Sequence, residues 1–188
     1  MGRRGEEIRR AGRLTRAARV AFVAAALVAG PARADFDGRV GGVADGDSLT
    51  VLVARRQVRV RLAGIDAPER HQPYGRRSRE SLSELVYRRQ VTVVERGTDG
   101  YGRTLGRVVV DGRDVNAEQV RRGMAWVYAR FAHDPALDAL EADARQARRG
   151  LWADASPVPP WRWREAHPRP PGAASPATHP SSFPSSSP

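Results

Sequence analysis

Alternating apolar and polar positions mark a series of short strands in the middle of the chain. Such alternation is typical of strands that bury one face, and turn-forming residues separate the runs. The predicted strands cover residues 38–44, 48–53, 58–62, 91–95 and 105–110. Only a short turn, residues 54–57, separates the second run from the third, so these two strands are expected to pair as a hairpin.

Helical spacing of apolar residues appears between and after these runs. The first predicted helix covers residues 75–89, with its apolar positions in the second half. A shorter helix is predicted to begin near Asn116, which together with Gln119 resembles a capping box. Gly123 is placed to end that helix, since glycine adopts the left-handed conformation common at helix C-termini.

The last predicted helix has clear start and stop signals. Asp134 is placed as the N-cap, Pro135 lies in the first turn, and Gly150 follows the last apolar position. The order of elements along the chain is strands, helix, strands, helix, helix. This order predicts an α+β domain whose antiparallel sheet closes into a small barrel, because five short strands without a covering helix on one side would otherwise leave exposed edges.

The first 34 residues have the organisation of a signal peptide. An Arg-rich stretch precedes an apolar run at residues 20–30, and Ala32 and Ala34 supply the small side chains of an A-x-A cleavage site. The run is too short for a membrane span, which needs about 20 apolar residues. We therefore expect cleavage after Ala34 and a secreted or periplasmic protein; an uncleaved N-terminal anchor is the alternative.

The composition changes again near the C-terminus. Ten of the 14 prolines lie beyond residue 156, mixed with serine, and such a segment is predicted to be disordered because it cannot bury a core. The length left between the two ends suits one compact domain. The predicted organisation is a signal peptide at 1–34, one domain at 35–155 and a Pro/Ser-rich tail at 156–188.

The charge balance favours a polyanionic partner. The formal net charge is +11, and all 32 basic residues are arginine. Residues 1–34 hold eight Arg and two Glu, so a chain that starts at Asp35 keeps 24 basic and 19 acidic residues, a net charge of +5. Guanidinium groups match phosphate oxygens in two-pronged contacts, but charge alone does not separate nucleic acid from a membrane surface.

The absence of cysteine excludes disulfides, thiolate metal sites and cysteine nucleophiles, so any metal must bind oxygen or imidazole. Two acidic clusters flank the predicted hairpin: Asp45 and Asp47 at its start, and Asp66 and Glu69 just after its end. A hairpin brings these segments side by side, and two carboxylates completed by a carbonyl and waters suit Ca²⁺. The structural alternative is that Asp-Gly is a common turn and that Asp66 only ends a strand.

Two arginines make the pattern recognisable. Arg61 lies five residues before Asp66, and Arg103 follows the turn at residues 99–102. Together with the acidic clusters, they resemble the staphylococcal nuclease (thermonuclease) family in the same order along the chain, from about Arg39 to Trp152. The matching motifs are Asp45-Gly46-Asp47-Ser48, Arg61-Leu62-Ala63-Gly64-Ile65-Asp66-Ala67-Pro68-Glu69, Tyr74-Gly75, Asp99-Gly100-Tyr101-Gly102-Arg103 and Val115-Asn116-Ala117-Glu118-Gln119-Val120.

The resemblance implies an α+β fold, an OB-fold with a five-stranded antiparallel barrel and three helices. It also implies calcium-dependent endonuclease cleavage of phosphodiester bonds in DNA, RNA or both. By matching positions, it implies that Asp47 and Asp66 bind Ca²⁺ through their carboxylates and that Ala67 binds it through the backbone carbonyl.

The resemblance further implies the groups that act on the phosphate. Glu69 is the implied base for the attacking water, and Arg61 and Arg103 are implied to hold the scissile phosphate. This agrees with elementary chemistry: a bound ion polarises the phosphoryl oxygen, and guanidinium groups stabilise the charge that grows in the transition state.

The sequence also departs from the family pattern. Ala67 stands where the best-known member has Thr, the loop at 70–73 is short, and residues 126–131 do not align with that member's nucleotide-contacting tyrosines. Tyr101 is a candidate nucleic-acid contact. Tyr128 is a second candidate, with core packing as the alternative.

Two tryptophans alternate with arginine at residues 161–164. Aromatic residues interleaved with arginine can stack bases and hold phosphates, but packing of the two rings on the domain is the favoured interpretation because aromatic bulk is scarce elsewhere.

Two other functions compete with the nuclease. The first is an OB-fold module that binds single-stranded nucleic acid without cutting it, and the second is an envelope-associated interaction protein that uses the tail. A binding module needs arginines and aromatic residues but neither metal carboxylates nor a base, so the full set argues against it. We expect a monomer that takes DNA or RNA as substrate and has no membrane span in its mature form.

Overall fold

The computed structural model, which describes residues 35–128 and 133–168, has strands at all the predicted positions. The strands are β1 (Phe36–Val43), β2 (Ser48–Val53), β3 (Arg56–Leu62), β4 (Ile65–Asp66), β5 (Gln90–Thr98), β6 (Thr104–Val110), β7 (Arg113–Asp114) and β8 (Trp126–Val127). Alternation sets the inward face of the long strands. In β3, for example, Val60 and Leu62 are buried, whereas Arg59 before them is exposed and Arg61 between them is partly exposed.

Five of these strands close into a barrel. β1 pairs antiparallel with β2 and β5, β2 with β3, and β5 with β6. A parallel pairing of β3 with β6, in which Arg61 lies opposite Leu105, completes the ring. The predicted OB-fold barrel is confirmed, but its closure makes the sheet mixed, not purely antiparallel. The alternation of a strand predicts its buried face, and it does not predict the direction of a partner across the barrel.

The barrel interior is filled mainly by β-branched residues. Valine dominates because its stiff branched side chain packs well on a pleated surface. Apolar residues from the helices close the core. Its members include Val40, Leu49, Val51, Val60, Leu62, Ile65, Leu82, Val86, Val91, Val93, Val108, Val115 and Val120.

The helices are α1 (Gly75–Val86), α2 (Val115–Arg121), α3 (Pro135–Gln146) and α4 (Pro160–Ala166). The predicted capping box of α2 is wrong. Asp114 is the N-cap, and its side chain accepts a hydrogen bond from the Ala117 N–H at 3.0 Å. Asn116 and Gln119 instead lie inside the helix and are buried, because their amides bond to groups of the barrel and of α1.

The start of α3 follows the prediction, whereas its end lies earlier. Asp134 accepts from the Ala136 N–H at 3.0 Å, and Pro135 is the first helical residue. The helix ends at Gln146, and Gly150 opens a separate 3₁₀ turn, Gly150–Ala153. Trp126, Ala144, Leu151 and Trp152 form a second small core beneath this region.

Helix α4 lies within the segment that was predicted to be disordered from residue 156. Pro160 is buried, and the Trp161 ring lies 5.8 Å from the Trp126 ring and 5.6 Å from the Tyr128 ring. The prediction of disorder rested on the Pro/Ser composition of the whole tail and overlooked the local packing of Trp161. The predicted signal peptide at 1–34 and the rest of the tail lie outside the described residues. Within the described ranges, no helix is long and apolar enough to cross a membrane.

Candidate active site

The hairpin of β2 and β3 brings the acidic clusters together at one end of the barrel. Ser48 at the start of β2 lies opposite Arg61 near the end of β3. The backbone of Asp47 continues this pairing, because its carbonyl accepts from the Leu62 N–H at 2.8 Å. Asp66 ends the short strand β4, which follows β3 after a two-residue turn. Local pairing therefore fixes both aspartates at the same end.

Arg61 joins the two aspartates. Its Nη1 atom lies 2.6 Å from Asp47 Oδ1, and its Nη2 atom lies 2.9 Å from Asp66 Oδ1. The carboxylates are almost fully buried, so this shared guanidinium compensates much of their charge. Burial would lower the pKa of Arg61, but the charges of Asp47 and Asp66 outweigh it and raise the pKa.

Asp47 has further partners that hold it ionised. Its Oδ2 atom accepts from the Ala67 N–H at 2.9 Å, and its Oδ1 atom accepts from the Ser48 hydroxyl at 2.9 Å. Burial alone would raise the pKa of Asp47, but Arg61, the Ala67 N–H and the Ser48 hydroxyl together lower it. At Asp45, burial and then the charge of Asp47 raise the pKa to about 7. Their surroundings therefore shift the pKa values of the two neighbouring aspartates in opposite directions.

The glycine between them is required by close packing. A Cβ atom at Gly46 would lie 1.8 Å from the Ser78 hydroxyl oxygen and 2.7 Å from the Ala67 Cβ. Gln119 of α2 also donates from Nε2 to the Gly46 carbonyl at 2.8 Å. The Asp-Gly-Asp segment is thus anchored between two helices, which fixes the position of Asp47 before any ligand binds.

Arg103 reaches the same cluster from the loop between β5 and β6. Its Nε atom pairs with Asp99 Oδ2 at 2.7 Å, and its Nη1 atom donates to the Ser48 hydroxyl at 3.2 Å. Burial would raise the pKa of Asp99, but hydrogen bonds from the Arg103 and Tyr101 backbones and from the Arg103 side chain lower it. Asp99 therefore stays ionised and orients the guanidinium toward Ser48.

Glu69 lies in the loop that joins β4 to α1. Its backbone N–H donates to Gln72 Oε1 at 3.0 Å, and its side chain is 24% exposed. The first residue of α1 packs against this loop, since a Cβ atom at Gly75 would lie 2.0 Å from the Glu69 carbonyl oxygen. Both contacts fix the loop and leave the carboxylate accessible to a small reactant.

Arg164 of α4 is a site residue that the sequence analysis missed. Its Nη2 atom lies 2.8 Å from Asp66 Oδ2, and its Nη1 atom lies 2.9 Å from Glu69 Oε1. In the sequence, only the alternation of Trp and Arg at residues 161–164 indicated that this segment could contribute to the site. The packing interpretation favoured there holds for Trp161, but it left the arginines without a role.

A continuous network of contacts therefore links the predicted residues. We use the name carboxylate–arginine network for the set Asp47, Asp66, Glu69, Arg61, Arg103, Arg164 and Ser48, each member of which contacts another. Ala67 belongs to the same region through its N–H bond to Asp47. The structure thus brings together the predicted metal and catalytic residues.

The two tyrosines predicted to contact nucleic acid lie in different settings. Tyr101 is 79% exposed, and its ring centroid is 5.6 Å from the Arg103 guanidinium carbon. It stands at the rim of the network, where a nucleotide could contact it. The Tyr128 ring packs against Trp161, which favours the packing role that the sequence left open.

The donor set fits a hard cation. Asp47 and Asp66 direct buried carboxylate oxygens at one cationic group, the Arg61 guanidinium, so their negative charges already converge on a positive charge. In the described parts of the chain, no group of three or more His, Cys, Asp and Glu side chains is arranged to hold a metal. Two carboxylates completed by backbone carbonyl and water are compatible with Ca²⁺, which accepts oxygen ligands in a flexible geometry.

Comparison with known proteins agrees with this geometry. The family model described as staphylococcal nuclease homologue matches residues 59–154. An uncharacterized endonuclease of Escherichia coli O157:H7 is 52% identical over 132 residues, which cover 70% of this chain and 86% of that protein. Micrococcal nuclease of Shigella flexneri is 42% identical over 158 residues, which cover 78% of this chain and 91% of that protein.

The chain belongs to the staphylococcal nuclease homologue family. The matched region of the family model contains Arg61, Asp66, Glu69 and Arg103, and it begins after Asp47. It ends before α4, so Arg164 is a feature of this chain beyond the matched nuclease domain.

Proposed function

We propose that this protein is an exported nuclease that hydrolyses phosphodiester bonds of DNA or RNA and depends on Ca²⁺. The observation that carries the proposal is the carboxylate–arginine network. Residues from β3, β4 and three loops, far apart in sequence, converge on one end of the barrel with two buried carboxylates, an accessible carboxylate and guanidinium groups. Names of related proteins, endonuclease and micrococcal nuclease, support the reaction class.

Asp47 and Asp66 would hold the cation, with Ala67 offering its carbonyl. A bound Ca²⁺ supplies electrostatic stabilisation of the phosphoryl oxygen. The protein contributes the fixed positions of the two carboxylates. Asp47 is held by Ser48 and by the Ala67 N–H, and the segment around it is anchored by Gln119.

The remaining groups act on the water and the phosphate. Glu69 accepts a proton from the attacking water at a carboxylate oxygen as the water oxygen bonds to phosphorus, and the departing ester oxygen takes a proton from solvent. Arg61 and Arg103 donate hydrogen bonds to the non-bridging phosphate oxygens, where negative charge increases in the transition state. Asp99 keeps the Arg103 guanidinium oriented for that contact.

A basic cleft beside the network suits the rest of a polyanionic substrate. The cleft has a volume of about 430 Å³ and is lined by Arg70, His71, Gln72, Pro73, Tyr74, Arg76 and Arg77. The first lining residue, Arg70, directly follows Glu69 in the chain, so a nucleic-acid strand that is cleaved beside Glu69 could extend across the cleft. Such arginines attract phosphates through sequence-independent electrostatics.

Cleavage of plasmid DNA and of RNA by the purified mature protein tests the function. Cutting is expected with CaCl₂ and is expected to stop when excess EGTA is added, because EGTA removes the Ca²⁺ that the two carboxylates would hold. Undiminished cutting in EGTA, with no other divalent ion present, would contradict the calcium assignment. Binding without cutting in the presence of Ca²⁺ would support the non-catalytic module instead.

Export is proposed from the N-terminal sequence alone. The charged stretch, short apolar run and A-x-A site predict cleavage after Ala34. Intact-mass measurement of protein recovered from the periplasm or the medium is expected to give a chain that begins at Asp35. A mass that includes the first residues of the sequence would contradict processing at this site.

A further inference from the structure

Helix α4 brings a third arginine to the two carboxylates that the proposed function uses for different tasks. The Arg164 guanidinium forms a fork on Asp66, with Nη2 at 2.8 Å from Oδ2 and Nη1 at 3.3 Å from Oδ1. The same Nη1 atom lies 2.9 Å from Glu69 Oε1. One side chain therefore contacts both the predicted cation ligand and the predicted base.

The contacts of α4 with the domain show how this arginine is placed. Trp161 packs against Trp126, and the Val158 carbonyl just before α4 accepts from Gln72 Nε2 at 2.6 Å. Gln72 is buried, and its other amide atom accepts from the Glu69 N–H. The segment that carries Arg164 is thus connected through one side chain to the backbone of Glu69.

Occupation of Asp66 by two guanidinium groups has a consequence for cation binding. Its Oδ1 atom accepts from Arg61 and Arg164, and its Oδ2 atom accepts from Arg164. Three of the roughly four acceptor sites of this carboxylate are thus in use, so a divalent cation that binds Asp66 competes with the two guanidinium groups for its oxygens. The Arg61 side chain is 17% exposed and also contacts Asp47, whereas the Arg164 side chain is 41% exposed. Arg164 is therefore the group that leaves Asp66 at lower cost.

We propose that Arg164 is a positioning residue. When a cation binds, Arg164 releases Asp66 but stays paired with Glu69, and it holds the Glu69 carboxylate beside the bound cation. The inference rests on the proposed function. It assigns two effects of opposite sign to one side chain: competition with the cation at Asp66, and support of the reaction through Glu69. A purely inhibitory contact would have only the first effect, and a purely structural one would weaken both binding and cleavage.

Calorimetric titration of the full mature chain with CaCl₂, combined with single-turnover cleavage of a labelled oligonucleotide, tests the inference. Arg164→Ala is expected to bind Ca²⁺ about fivefold or more tightly, since the competing fork on Asp66 is gone. At saturating Ca²⁺ its cleavage rate is expected to fall by about 10–100-fold, the usual effect of removing a supporting partner. Arg164→Lys, which keeps the charge but not the fork, is expected to recover part of the rate.

The matched control is Arg162→Ala. Arg162 is exposed on the same helix and takes part in none of the ion pairs found among the described residues. Its substitution by alanine therefore removes an equal charge but leaves the contacts with Asp66 and Glu69 intact. It is expected to match wild type in both measurements. A misfolded Arg164→Ala protein cannot mimic the expected result, because misfolding does not tighten Ca²⁺ binding.

Three results would overturn the inference, and they separate it from the proposed function. Unchanged or weaker Ca²⁺ binding by Arg164→Ala, with normal binding by wild type, would reject the competition and leave the proposed function standing. An unchanged or faster cleavage rate in that variant would reject the positioning of Glu69. Absence of Ca²⁺ binding by wild type would reject the proposed cation site and this inference together.

Discussion

At the scale of single residues, the position of Arg61 explains how one side chain serves two carboxylates. It lies opposite Ser48 in the hairpin, next to Asp47, and the chain returns to Asp66 five residues later. Arg103 has no such place in the sheet and depends on Asp99 for its orientation. Of the two arginines predicted to hold the phosphate, Arg103 is therefore the one whose substitution disturbs the carboxylates least.

Arg103→Lys separates transition-state stabilisation from simple attraction of the polyanion. Lysine keeps the charge but loses the planar two-pronged contact, so the single-turnover rate is expected to fall by about 10²–10³ while affinity stays within about tenfold. Arg113→Lys, an exposed position on β7, is the control and is expected to cleave normally. If Arg103→Lys loses affinity but cleaves bound substrate at the wild-type rate, Arg103 only attracts the substrate.

At the scale of elements, α2 is the support of the Asp-Gly-Asp segment. Gln119 is fully buried; its Nε2 atom donates to the carbonyls of Gly46 and Ser78, and its Oε1 atom accepts from Ser81. A buried polar side chain with all its partners satisfied holds three parts of the chain in one geometry.

Gln119→Leu is expected to destabilise the protein by about 2–4 kcal/mol, since it leaves buried carbonyl groups without donors. Urea unfolding of the mature chain measures the change. Gln146→Leu, on the exposed face of α3, is the control and is expected to change stability by less than about 0.5 kcal/mol. Equal effects of the two substitutions would show that the buried amide does not anchor the segment.

Helix α2 also contributes to stability in a pH-dependent way, through Glu118. Burial would raise the pKa of Glu118, but hydrogen bonds from Arg122 and Arg121 outweigh it and lower the pKa below its ordinary value of 4.5. A carboxylate with a lowered pKa stabilises the folded state above about pH 4.5, and this stabilisation is lost as the pH falls through the folded-state pKa.

Glu118→Gln is therefore expected to lower the free energy of unfolding by about 1 kcal/mol at pH 7, as urea unfolding would measure it, because an accessible ion pair with two partners contributes about that much. The cost should shrink as the pH falls below 4.5. Glu80→Gln is the control, because the Glu80 carboxylate is 56% exposed and lies 3.9 Å from the Arg76 guanidinium, and the substitution is expected to change the free energy of unfolding at pH 7 by less than about 0.5 kcal/mol. A cost for Glu118→Gln that stays constant down to pH 3 would contradict the assignment.

At the scale of the whole molecule, the sequence predicts those parts of the site that local pairing determines. The alternation of β2 and β3 implies their hairpin, and the hairpin places Asp47, Arg61 and Asp66 together. Arg164 could not be predicted in this way. It meets Asp66 across 98 residues of sequence, and neither periodicity nor spacing encodes where the chain returns after α3.

The parallel closure of β3 on β6 was unpredictable for a related reason. Each strand shows its buried face in its own sequence, but the partner across the barrel is chosen by how the whole sheet curls. The same holds for Asn116 and Gln119. Their spacing resembles a cap, and only the tertiary fold shows that their amides bond to Ala63, Gly46 and Ser78.

The central claim is that the accessible carboxylate of the network acts as a base on the scissile phosphodiester. The most direct test is single-turnover cleavage by Glu69→Gln at saturating Ca²⁺, with substrate affinity measured separately and Glu165→Gln on α4 as the control. Glutamine keeps size and hydrogen bonding but removes basicity, so the rate is expected to fall by about 10²–10⁴ with affinity nearly unchanged. Cleavage by Glu69→Gln at the rate of the control would contradict the account.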